Sequence, residues 1–252
     1  MVKPKLIAFD LDGTLAESKW RMSAEMGLLI ADLLKKMPVA VMSGAGFQQF
    51  EKQFLPALPE DAPLERLYIF PTNAAQCYVY REGWKPQYDH CFSEQEKQKI
   101  FAVLKEALEE NGMELLGGLW GERIEDRGAQ ITFSGLGQGA PIDEKQKWDP
   151  KKQTRVRIRN SLVKKLPDFS VGIGGLTSID ITRKGLTKAY GIKRLAELTG
   201  IEVTDMLYVG DALEEGGNDA VVLESGVKTH AVFGPRESEA LIKDILRASS
   251  RP

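Results

Sequence analysis

Leu6-Ile7-Ala8-Phe9-Asp10-Leu11-Asp12-Gly13-Thr14 is the stretch on which the fold turns. Four consecutive apolar residues halted by an acid read as a strand buried on both faces, the pattern of a parallel sheet covered by helices. Two acids one residue apart then stand at the strand's end, with a glycine behind them. Downstream, Met26, Leu28, Leu29, Ile30, Leu33 and Leu34 recur at helical spacing, and Lys35 and Lys36 follow where cations complement a helix C-terminus. Pro38 to Met42 is a second apolar run, ending in Ser43-Gly44 and followed by a helical segment over about 46–55. Leu67 to Phe70 is a third, ending at Pro71-Thr72-Asn73. This alternation predicts an α/β fold, a Rossmann-like doubly wound parallel sheet whose strand tips gather the polar residues.

After about Arg81 the texture changes. Residues 93–111 predict a long helix with Ser93 as N-cap, Glu96 three places on and Gly112 closing it. Short alternating segments at about 118–125 and 129–134, a glycine-rich stretch at 135–139, a basic helix at about 150–166 and short strands at 169–173 and 178–181 follow. Strands of this kind predict an antiparallel sheet. From Gly185 the first texture returns, with a helix to about Thr199, the run Met206 to Val209 ending at Gly210-Asp211, and a final helix over 237–248. Two domains are expected: a core built from 1–81 and 185–252, and an α/β domain inserted over 82–184.

Composition bounds the chemistry. With 252 residues, 42% hydrophobic and 28% charged, the chain is an ordinary globular one, which excludes a disordered, collagen-like or disulfide-scaffold protein. Lys and Arg number 34 against 36 Asp and Glu, so no global positive field recruits nucleic acid, and phosphate chemistry has to come from a local site. The basic residues around Lys151, Arg155, Arg159 and Lys165 read as a solvated helix face. No run approaches the roughly 20 apolar residues of a membrane span, and the opening Met1-Val2-Lys3-Pro4-Lys5 does not read as a signal peptide. Cys77 and Cys91 read as free thiols, and a cytoplasmic location is expected. His90 and His230 are too few and too far apart for a metal cluster.

The strand tips carry the chemistry. Asp10 and Asp12 repel each other unless a cation stands between them, and carboxylates, a backbone carbonyl and water are the oxygen ligands that Mg²⁺ prefers. Asp211, at another tip, completes the expected metal set of Asp10, Asp12 and Asp211, with Asn218 and Asp219 behind it. Asp10 suits a carboxylate nucleophile that attacks phosphorus, and Asp12 an acid/base for the leaving and entering oxygens. Ser43, Gly44 and Lys188 are expected to hold the phosphoryl oxygens, where positioning matters more than covalent chemistry.

These residues, in this order, resemble the haloacid dehalogenase (HAD) superfamily of aspartate-nucleophile phosphotransferases. The insert is similar to the cap of its Cof-type, subclass IIB members, which act mostly on sugar phosphates and other small phosphate esters. Within that group, Gly174-Gly175-Leu176-Thr177-Ser178-Ile179-Asp180, Lys184-Gly185-Leu186-Thr187-Lys188 and the loop from Gly210 to Asp219 are similar to eukaryotic-type phosphomannomutases, and the resemblance covers nearly the whole chain. It implies a Mg²⁺ cofactor, a small phosphosugar substrate and a homodimer through the cap. In those mutases cap arginines bind the sugar's distal phosphate. Arg127 falls on one of them, Gln138 where a second is expected and Lys145 near the third, while Ser178 and Asp180 are kept and Lys19 replaces an arginine after the first motif. Thr187 stands in place of an acid before Lys188, and Ser43 follows the phosphatase pattern rather than the mutase one. Glutamine has neither arginine's charge nor its two-pronged fork, so distal-phosphate binding should weaken. A mutase must hold a bisphosphate in two orientations. The expectation is therefore a HAD-family phosphatase acting on a phosphosugar, with a phosphomannomutase interconverting mannose 1-phosphate and 6-phosphate as the alternative and a non-catalytic phosphosugar-binding protein as a third reading.

Overall fold

The computed structural model describes residues 3–17, 20–113 and 120–248, and they form two compact units, Met1–Asp89 with Leu186–Pro252, and His90–Gly185. The first unit opens with β1 (Leu6–Asp10), α1 (Ala24–Lys36), β2 (Val39–Met42), α2 (Phe47–Gln53), β3 (Leu67–Phe70), β4 (Gln76–Tyr80) and β5 (Trp84–Asp89). The second holds α3 (Glu94–Glu110), β6 (Ile124–Asp126), β7 (Gln130–Ser134), α4 (Ile142–Trp148), α5 (Gln153–Lys165), β8 (Phe169–Gly174) and β9 (Ser178–Arg183). The chain then returns to the first unit through α6 (Lys188–Thr199), β10 (Met206–Gly210), β11 (Lys228–Ala231) and α7 (Pro235–Ala248).

The first unit is built on a seven-stranded sheet in the order β11-β10-β1-β2-β3-β4-β5, parallel from β11 through β3 and antiparallel thereafter. Every residue of β1 is buried because the sheet is covered on both faces. Ile7 and Phe9 pack with α1 and α7 residues such as Met26, Leu33 and Ile242, whereas Leu6 and Ala8 pack with Ile192 and Leu195 of α6. Each large side chain so buried contributes roughly 1.5–3 kcal/mol, so a run without polar interruptions is what this position requires. Ser23 caps α1, its Oγ accepting the Met26 amide at 3.0 Å.

The expected start of the insert at residue 82 is corrected by β5. Residues Trp84 to Asp89 pair antiparallel with β4, and Glu82 and Gly83 turn the hairpin with φ of 52° and 115°. The unit boundary therefore lies after Asp89. β5 is an edge strand, largely exposed and carrying Pro86, so it lacks the apolar signature of its neighbours.

The second unit holds an antiparallel sheet in the order β6-β7-β9-β8. Its strands alternate. Ile131, Phe133, Ile179 and Ile181 pack with Ile100, Leu104, Ile158 and Leu162 of α3 and α5, while the residues between them, among them Thr132, Ser134, Ser178 and Asp180, take the opposite face. The long helix starts as expected, with a complete capping box between Ser93 and Glu96. Arg155 of the basic helix is not solvated: it is 2% exposed, bonded to Asp149 and to the carbonyls of Gly174 and Gly175.

Candidate active site

Sheet register assembles the tips. Asp10 ends β1 opposite Met42, which puts Ser43 beside it, and Phe9 lies opposite Val209, which puts Gly210-Asp211 on its other side. Lys188 opens α6, behind Thr187, whose hydroxyl accepts the Tyr190 amide. Lys188 is 1% exposed, and its ammonium donates to Asp10 Oδ1 and, at 2.6 Å, to Asp219 Oδ1.

Asp10, Asp211 and Asp219 offer carboxylate oxygens that all lie within 4.8 Å of one another. Asp219 is thus part of the cluster rather than behind it, because the loop from Gly210 folds back and the Asp219 amide bonds to the Ala212 carbonyl at 3.0 Å. The side chain of Asp12, expected in the metal set, is absent from the cluster. The chain turns at Gly13, whose φ is 86°, and Asp12 Oδ1 accepts the Gln53 amide at 3.0 Å.

The electrostatics follow from burial. Loss of water, with the charges of Asp219 and Asp12 added, pushes the Asp10 carboxyl up to about 8 against the opposing pull of Lys188. Burial disfavours the Lys188 ammonium, but Asp10, Tyr208 and Asp219 outweigh it and hold Lys188 well above its usual value. Asp211 is raised by desolvation and by Asp219. Three carboxylates face one ammonium, and Asp10 Oδ2 is buried with no hydrogen-bond partner among the described residues. A hard divalent cation such as Mg²⁺ fits this all-oxygen, negatively charged set.

Ser43 is buried, its Oγ accepting the Ala45 amide at 3.0 Å, with Gly44 half-buried next to it. Asn218 is exposed, and Lys19 lies outside the described residues. The remaining expected residues belong to the second unit. Thr132 Oγ1 donates to Asp180 Oδ1 at 2.8 Å, Ser178 pairs with Ser134, Arg127 is held by Glu125 at 2.7 Å, and the Gln138 carbonyl accepts Lys145 Nζ at 3.2 Å. Burial raises the Asp180 carboxyl despite the charge of Arg127 and the Thr132 hydroxyl.

Sequence reasoning missed two residues. Gln53 orients Asp12, and Tyr208, in the middle of β10, donates to Asp219 Oδ1 at 2.6 Å. A hydroxyl-bearing residue in a strand buried among aliphatic neighbours was the available signal for Tyr208.

The fold is that of the HAD superfamily. C-terminally truncated IMP-nucleotidase from Plasmodium falciparum aligns with a TM-score of 0.71 at 18% identity, over 97% of this chain and 72% of that one. The trehalose-6-phosphate phosphatase C-terminal domain of C. albicans aligns with a TM-score of 0.67 at 15% identity, over 98% and 93%. By sequence, the phosphomannomutase of Saccharomyces cerevisiae is 24% identical over 251 residues, 96% of this chain and 95% of the relative. The family described as eukaryotic phosphomannomutase matches residues 26–248, and the chain belongs to that family.

Proposed function

We propose that the protein is a Mg²⁺-dependent phosphohydrolase acting on a small phosphorylated sugar through an aspartyl-phosphate on Asp10. The observation that carries this reading is the buried line of Asp10, Lys188 and Asp219 at the carboxyl ends of β1 and β10, where open α/β sheets place their reactive groups.

Asp10, Asp211 and Asp219 would hold the cation, which when bound balances their charge and that of the phosphate. Lys188 fixes one oxygen of Asp10, and Oδ2 has no hydrogen-bond partner among the described residues. The Asp10 carboxylate attacks phosphorus as the bond to the sugar oxygen breaks, and that oxygen takes a proton from Asp12. Water, deprotonated by Asp12, then attacks the aspartyl-phosphate, releasing phosphate and restoring Asp10. The Gln53 amide holds Asp12 in place for both transfers. Ser43, Gly44 and Lys188 steady the phosphoryl oxygens.

Family membership favours a second reading, a phosphomannomutase. Support for hydrolysis comes from the second unit: Arg127 is already engaged by Glu125, and Gln138 is neutral where the mutase resemblance calls for arginine. Both weaken the hold on a second phosphate. A homodimer through the inserted unit goes with the mutase resemblance, and a cytoplasmic location with the reading of Cys77 and Cys91 as free thiols. Incubation with mannose 1-phosphate, with and without a hexose 1,6-bisphosphate, separates the readings. Free phosphate and mannose support hydrolysis, and mannose 6-phosphate that depends on the bisphosphate supports the mutase.

A further inference from the structure

Tyr208 lies one layer beneath the candidate site. It is fully buried in the strand that carries Gly210-Asp211, and its hydroxyl donates to Asp219 Oδ1 at 2.6 Å. Lys188 Nζ donates to the same oxygen, also at 2.6 Å, and donates to Asp10 Oδ1 as well. Four side chains thus form one continuous buried chain, phenol to carboxylate to ammonium to carboxylate, in which every member is at most 2% exposed. The second Asp219 oxygen accepts the Ala212 amide at 3.4 Å.

From this we infer that Tyr208 is a positioning residue for the nucleophile, acting through Asp219 and Lys188. A single carboxylate oxygen that accepts two short bonds shares its negative charge between them. With the phenol in place, part of that charge is answered from below, and Lys188 is divided between Asp219 and Asp10. Without the phenol, Asp219 draws the ammonium toward itself, because in a low-dielectric interior an unanswered carboxylate takes the nearest cation. Asp10 then loses the bond that fixes its orientation. Tyr208 touches neither substrate nor reacting atoms, so it should alter the rate of the chemical step more than ground-state binding.

The inference rests on the reading of Asp10 as nucleophile, and the test separates the two. In the full chain, Tyr208→Phe keeps the ring and removes only the hydroxyl. With the phosphosugar turned over by the wild type and saturating Mg²⁺, kcat should fall about tenfold with KM within twofold. In an Asp219→Asn background the same substitution should change kcat less than twofold, since the charge that linked the phenol to Lys188 is already gone. Thermal unfolding of Tyr208→Phe reports whether the fold is intact, and Tyr208→Met, of similar apolar character without a ring hydroxyl, should reproduce the kcat loss. Unchanged kcat in Tyr208→Phe, or equal losses in the wild-type and Asp219→Asn backgrounds, would overturn the inference while an inactive Asp10→Asn variant leaves the nucleophile assignment standing. A fully active Asp10→Asn variant would instead overturn that assignment, and this inference with it.

Discussion

Gly13 and Asp211 approach so closely that a Cβ on Gly13 would lie 2.8 Å from Asp211 Cγ. Gly13 also has φ of 86°, a conformation that strains other residues by about 1–3 kcal/mol. The glycine of the first motif therefore makes room for a carboxylate from a different strand tip. Gly13→Ala should reduce phosphoryl-transfer activity at least tenfold and raise the Mg²⁺ concentration needed for half-maximal rate, measured by titrating the metal at saturating substrate. Equal metal dependence in wild type and variant would contradict this account.

A cation that fits the cluster should stabilise the folded chain without any substrate. At a Mg²⁺ concentration about 100 times its Kd, linkage gives about 2.7 kcal/mol, roughly 5–10 °C in unfolding midpoint for a chain of this size. Asp211→Asn should remove most of that shift because it takes one carboxylate from the set. Thermal scans with and without Mg²⁺ measure both, and a shift kept intact in Asp211→Asn would count against the assigned ligands.

The Asp149–Arg155 pair should anchor the second unit. Arg155 Nε donates to Asp149 Oδ2 at 3.1 Å, and both residues are at most 5% exposed. Asp149→Asn leaves a buried guanidinium without its counter-charge, a loss of about 3–5 kcal/mol. Burial alone would raise the Asp149 carboxyl, but the Arg155 and Thr154 amides and the Arg155 side chain outweigh it and hold Asp149 below its ordinary 3.8. A depressed carboxyl stabilises fully above the unfolded value and loses that contribution as pH falls through the folded one. The stability gap between wild type and Asp149→Asn should thus be constant near neutrality and close in acid below 3.8, as denaturant melts across pH will register.

Much of this arrangement could be read from the residues, and the reasons are local. β1, β2, β3 and β10 are central strands, so their burial on both faces writes a continuous apolar run into the sequence. Ser93 and Glu96 announce the long helix because the capping box lies within four consecutive residues. The edge strand β5 was hidden by its exposure and by Pro86, which shifted the expected boundary by several residues. Placing Asp219 among the carboxylates depended on the way a ten-residue loop closes on Ala212, and Tyr208 on which face of β10 its hydroxyl occupies. Neither is a matter of spacing along the chain.

Gln138 offers a test of ligand selection. Gln138→Arg restores a charged fork at a position where the mutase resemblance expects one, and a charge-assisted pair with phosphate contributes about 1.5–3 kcal/mol. Binding of a hexose 1,6-bisphosphate should tighten about tenfold or more, with hexose monophosphate affinity within about twofold. Calorimetric titration of both ligands against both proteins measures the change, and equal gains for the two ligands would refute a distal-phosphate role for this position.

The assignment of Asp10 as the group that takes the phosphoryl transfer is tested most directly by acid-quenching the enzyme during turnover of a phosphate-labelled sugar substrate and mapping the label to a peptide. The account predicts label on the peptide containing Asp10, lost on treatment with hydroxylamine and absent from Asp10→Asn. Turnover by Asp10→Asn at the wild-type rate, or label on a peptide that lacks Asp10, would contradict it.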